Sequence, residues 1–229
     1  MTKLERLFED FSVTIANPKE RKSYENKCEK FLDHIDHADI PEKIILRVPH
    51  PEYFPLFGEQ FNDNTCGCNS LKAMLMIEYG KPYTEAKIWN KGKDPEKIKD
   101  KEGIGPADIA RIIKTIGKRR FGKNLKVFAT NYGDIRQLNY FLDRKQFPII
   151  NRPWYGPERG NHFELVLGID NKDVYMHNPS PNCKDSGLHR MNRRQFGDWW
   201  TVGKYEFKWY LAPIPVEHKL PKYFRGRFV

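Results

Sequence analysis

The spacing of apolar residues divides the chain into segments of two kinds. Leu4, Leu7, Phe8 and Phe11 fall at i, i+3, i+4, i+7, and Tyr24, Cys28, Phe31, Leu32 and Ile35 repeat that spacing after Pro18, which predicts two amphipathic opening helices. After Pro41 the run Lys43-Ile44-Ile45-Leu46-Arg47-Val48 reads as a strand, and residues 50–64, with Pro51, Pro55 and Gly58 and no sustained period, read as a loop. Residues 66–79 are apolar nearly all round and predict a central helix, with Asn64 or Thr65 at its start and Gly80 closing it. Ile109, Ile112, Ile113 and Ile116 form one stripe behind Pro106, a helix start signal, and Gly117 is expected to end that helix.

The second half is richer in strands. A strand at 125–129, a helix at 134–144 and a strand at 147–150 precede two alternating runs, 162–169 and 174–178. The intervening Asp170-Asn171-Lys172-Asp173 is a turn signal and predicts an antiparallel hairpin. A helix at 191–200 and a strand at 205–212 complete the body, and Pro213, Pro215 and Pro221 predict an irregular tail. The expected class is α+β, a central helix on an antiparallel sheet. Residues 1–42 form a helical appendage, 43–212 the body and 213–229 a basic tail.

Composition narrows the setting. Of 229 residues, 39% are hydrophobic and 14% aromatic, enough for one sizeable core and too many for a disordered chain. No run approaches the ~20 apolar residues of a membrane span and the first residues lack a signal-peptide pattern, so a cytoplasmic protein is expected. Four cysteines are too few for a disulfide scaffold at this length. The net charge of +10 biases encounters toward anions. It concentrates at residues 114–126 and in the tail at Lys219, Lys222, Arg225 and Arg227, where contact with nucleic acid or an acidic polymer is a secondary expectation.

One cysteine stands where chemistry is favourable. Cys66 sits where Asn64-Thr65-Cys66-Gly67 turns into the apolar helix, beside unpaired backbone N–H groups that favour a thiolate, and Gly67 is expected to leave room for a substrate carbonyl. A lone cysteine in a helix is ordinarily a small core residue; its partners change the reading. The hairpin brings the start of its first strand beside the end of its second, and so His162 beside Asn178, whose amide oxygen can accept the imidazole N–H. Gln60, six residues before Cys66, can donate to an oxyanion together with the Cys66 backbone N–H. His177 is a lesser candidate base because alternation points it away from Asn178. The remaining histidines, His34, His37, His50, His189 and His218, read as surface residues. Glu164 shares the face of His162 and either tunes it or pairs with a lysine. Trp154 and Asn161 are candidate substrate-groove residues.

Gln60 through Cys66-Gly67, the Asn69-Ser70-Leu71 helix, Gly160-Asn161-His162 to Gly168-Ile169-Asp170 and Val174 to Asn178-Pro179 resemble the bacteriocin-processing-peptidase-like branch of papain-like cysteine peptidases. The resemblance spans residues 44–212. It departs at Cys68, where a proline is usual, and at Asn178, where an aspartate is usual. It implies a papain-like fold and a thiol hydrolase acting on a peptide or isopeptide bond, with Cys66 as nucleophile, His162 as base, Asn178 as orienter and Gln60 as oxyanion donor. A peptide or protein substrate and no cofactor or metal are expected. Two other readings compete: a non-catalytic papain-like shell that binds nucleic acid or an acidic partner, and a metal site on Cys66, Cys68 and His162 or His177, for which the ligand spacing is poor.

Overall fold

Local rules set the elements before packing joins them. In the computed structural model, residues 1–60, 65–92, 104–121, 124–153, 161–181, 186–200 and 208–228 are described. Helix α1 (Lys3–Ser12) begins in a capping box in which Thr2 and Glu5 satisfy one another's backbone N–H. Helix α2 (Pro18–His37) begins at Asn17, whose side chain accepts from Lys19 and Glu20. The segment expected as a strand instead forms the one-turn helix α3 (Glu42–Ile45). Glu42 there accepts the Leu4 N–H at 2.7 Å, and Ile44, Ile45 and Val48 are buried, a spacing one helical turn satisfies as well as a strand. The proline-rich segment Pro51–Leu56 is a 3₁₀ turn that carries Tyr53 and Phe54 into the core.

Helix α4 (Cys66–Tyr79) is the buried axis. Gly80 ends it in the left-handed conformation at φ 61°, its N–H on the Met76 carbonyl, as the sequence requires of a glycine there. Helix α5 (Glu85–Gly92) was not anticipated, and α6 (Pro106–Phe121) continues past Gly117. Helix α7 (Ile135–Leu142) starts in a second capping box, Asp134 with Gln137, and α8 is Arg193–Trp199.

The strands are β1 (Leu125–Thr130), β2 (Ile149–Pro153), β3 (Asn161–Ile169), β4 (Asp173–Asn178), β5 (Gly187–Asn192), β6 (Trp209–Pro215) and β7 (Arg227–Phe228). They form one antiparallel sheet in the order β5-β4-β3-β2-β6-β1-β7. The expected β3–β4 hairpin is present. Asp170 accepts from the Lys172 and Asp173 N–H groups, both at 2.9 Å, closing its turn. A bulge interrupts its pairing: Val166 faces Met176 but Gly168 faces Tyr175, leaving Leu167 as the extra residue. Strand β5 was not foreseen. The tail is less irregular than expected, since β6 runs to Pro215 and β7 pairs with β1.

Leu4, Phe8, Tyr24 and Phe31 of the first two helices join the same buried cluster as Phe54, Leu71 and Leu165. Among the described residues no helix is long and apolar enough to cross a membrane.

Candidate active site

Helix α4 is fastened to β3 at its first turns. The Ser70 hydroxyl donates to the Phe163 carbonyl at 3.0 Å, and a side chain at Gly67 would meet Ile104, Phe163 and Ile109 at 3.1–3.3 Å. Glycine at 67 therefore permits close approach of the helix start to β3 and to Ile104 and Ile109. This contact sets Cys66 against the strand start. The backbone N–H groups of Phe163 and Gly67 both favour the Cys66 thiolate. Burial outweighs them and, with the nearby Glu164 charge, pushes the thiol up from its ordinary value. Thr65 supplies no side-chain cap to the helix start, but the expected resting thiolate is opposed by desolvation.

His162 is 2% exposed, and its Nε2 lies 2.8 Å from Asn178 Oδ1. The same oxygen accepts the Ser180 backbone N–H at 2.9 Å. That second bond decides the first. A backbone N–H can only donate, so the amide must present oxygen there, and His162 must then carry its proton on Nε2. In the neutral ring Nδ1 is left as the proton acceptor.

Gln60 is 8% exposed and its backbone N–H donates to the Pro179 carbonyl at 2.8 Å, which anchors the proposed oxyanion donor directly beside the Asn178 strand end. The structure thus gathers Gln60, His162 and Asn178 around β3–β4 and sets Cys66 against Phe163. Trp154, Asn64 and Cys183 lie outside the described residues, as does the Asn161 side chain, although its backbone begins β3.

His177 points elsewhere, as alternation required. It is buried with Nε2 3.2 Å from Asn69 Oδ1, and burial pulls it down to about 3, which keeps it neutral. Asn69 in turn donates to Glu85 at 3.0 Å. Cys68 is wholly buried, and Cys28, Cys66 and Cys68 are all thiols. Among the described residues no three His, Cys, Asp or Glu side chains stand together as metal ligands.

Two participants escaped the sequence. Arg152, directly across β2–β3 from His162, donates through Nε to Glu164 Oε1 at 2.7 Å and lies 4.4 Å from the Trp199 ring. His189, expected at the surface, is buried with Nε2 3.6 Å from Glu164 Oε2. Glu164 pairs with an arginine, not a lysine. Other histidines expected as isolated surface residues also bind the body: His34 Nε2 meets the Leu188 carbonyl and His218 Nε2 the Tyr140 hydroxyl, each at 2.7 Å.

A central helix with the cysteine at its first position, packed on an antiparallel sheet that carries the histidine and asparagine, is the papain-like cysteine-peptidase fold. Among solved structures, the peptidase domain of Streptococcus ComA, a bi-functional ABC transporter involved in a quorum-sensing pathway, matches with TM-score 0.51 at 20% identity. The match covers 69% of this chain and 96% of that one. A peptidase-like protein from Bacillus anthracis matches with TM-score 0.48 at 16% identity over 69% and 93% of the two chains. The peptidase domain of Streptococcus mutans ComA gives TM-score 0.45 at 16% identity over 69% and 98%. No family model matches the sequence, and no curated protein does.

Proposed function

We propose that this protein is a thiol-dependent hydrolase or acyl-transfer enzyme acting on a peptide or isopeptide amide. The observation that carries this reading is the fixed tautomer of His162. Asn178 holds the Nε2 proton and leaves Nδ1 as the base, on the strand whose Phe163 N–H addresses the Cys66 sulfur.

The chemistry follows from those positions. Cys66 Sγ attacks the substrate carbonyl carbon as its proton passes to His162 Nδ1. Charge then develops on the carbonyl oxygen, where the Gln60 amide and the Cys66 backbone N–H serve as donors. The imidazolium gives its proton to the leaving amine and the C–N bond breaks, leaving a thioester on Cys66. Water or an acceptor amine attacks that thioester with His162 again as base, releasing the acid or the transferred product and regenerating the thiol. Because burial holds Cys66 protonated, ionisation accompanies attack rather than preceding it.

The fold likeness to the ComA peptidase domain supports a peptide carbonyl as the target. The test is alkylation with iodoacetamide followed by peptide mapping, together with cleavage of a pooled library of internally quenched peptides. Labelling is expected at Cys66, where His162 takes the proton, and not at the buried Cys28. His162→Ala is expected to slow labelling and cleavage about 10²- to 10⁴-fold, the usual worth of a general base. Labelling unchanged in His162→Ala would overturn the reading.

A further inference from the structure

The third group of the constellation is a neutral amide. Asn178 orients His162, but its oxygen already serves two N–H donors and carries no charge to balance the imidazolium formed at each proton transfer. That cation forms where His162 is only 2% exposed, and an uncompensated charge in such a place is costly. Something else must meet it.

We infer that Glu164 is the counterion of the His162 imidazolium, a positioning and charge-supplying residue held in place by Arg152. This deepens the proposed thiol hydrolase and rests on it. Glu164 is two residues from His162 along β3 and so on the same sheet face. It is 0% exposed, and its Oε1 is 3.6 Å from His162 Nε2. A buried glutamate would ordinarily take up a proton to avoid carrying charge. Here Arg152 Nε, 2.7 Å from the same Oε1, keeps it ionised, and the Trp199 ring 4.4 Å away steadies the guanidinium. Roles are thus divided between two strands: Asn178 on β4 sets the direction of the ring, and Glu164 on β3 supplies the negative field.

Among the described residues the titratable groups around this cluster are Cys66 on α4, Arg152 on β2, His162 on β3, His177 on β4 and His189 on β5. Lys72 and His34 act on His177. His177 is neutral and bonded to Asn69, and Arg152 already faces the glutamate, so among these groups Glu164 is the anion. Its field reaches the sulfur too, which it pushes toward the protonated form.

The signs follow. Neutralising Glu164 makes the imidazolium easier to deprotonate and the thiol easier to ionise, so both limbs of a pH profile move toward acid. The experiment is the rate of Cys66 alkylation by iodoacetamide against pH, in the full chain, with peptide mapping. Glu164→Gln is expected to move both limbs about one pH unit to the acid side, the usual minimum for a charge within ~4–6 Å. Glu164→Gln/Asn178→Asp, which returns a carboxylate next to Nε2, is expected to move them back. Should Glu164→Gln alone not fold, the same subtraction is made between Asn178→Asp and the double variant. A merely structural Glu164 would lower melting temperature and yield without moving either limb, and that outcome overturns the inference. If the unaltered protein shows no reactivity at Cys66 that depends on His162, the hydrolase reading fails first. If it does and the limbs stay put, only the role of Glu164 fails.

Discussion

Strands β6 and β1 bury rings, with Phe128 within about 6 Å of Phe141, Tyr210 and Phe224 by ring centroids, while β2 to β5 bury Arg152, His162, Glu164, Asn178 and His189. One sheet therefore has an aromatic half and a charged half. Rings packed edge to face gain from burial and from their quadrupoles, and they need no partner of defined charge. The charged half gains little net stability from its ion pair, because desolvating Arg152 and Glu164 offsets most of their attraction. The contrast teaches where stability and reactivity reside: the aromatic half can carry the fold while the other half holds groups that stability alone would not select.

Three substitutions sharpen or break that division. Phe141→Ala, in the aromatic half, should lower unfolding free energy by about 3–5 kcal/mol in a denaturant titration. The alkylation rate per folded molecule should stay unchanged, and a rate that fell with it would show that the halves are not separable. Gln60→Ala should do the reverse. Peptide turnover should fall about 10²- to 10³-fold, as for loss of one oxyanion donor, with the denaturation midpoint nearly unmoved. The smallest effect belongs to His177, whose folded value of about 3 lies below its ordinary 6.5. Its unfolded form binds the proton more readily, so the stability it contributes is present above pH 6.5 and is lost as pH falls toward 3. His177→Gln should flatten that slope by about 1.4 kcal/mol per pH unit at most, and an unaltered slope would assign the acid sensitivity to another group.

How much of this was legible depended on whether the determinant was local. The turn at Asp170, the left-handed Gly80 and the all-round apolar helix each state their conformation within a few residues, and the structure keeps all three. Residues 43–48 state less. Ile44, Ile45 and Val48 suit a strand or a helical turn, and the deciding contact, Glu42 on the Leu4 N–H, comes from the other end of the appendage. Within the site, His162 and Asn178 were readable because one hairpin joins them. Arg152 and His189 were not, because they reach Glu164 from β2 and β5, whose order beside β3 and β4 follows from the whole sheet. The packing role of Gly67 was not legible, because its neighbours Ile104 and Ile109 are far along the chain.

The Leu167 bulge has a meaning best put as parity. In the two pairs nearest the turn, Ile169 with Val174 and Gly168 with Tyr175, the residue numbers share one sum, and on that count Asn178 would stand opposite Leu165 and face away from His162. The extra residue lowers the sum by one, from Val166 with Met176 onward, and Asn178 then falls opposite Glu164, on the side of His162. Leu167 therefore works as a frame bit: bulged out, it leaves Glu164 opposite Asn178, and drawn into the ladder opposite Met176 it would move every later pair by one residue and turn Asn178 away from His162.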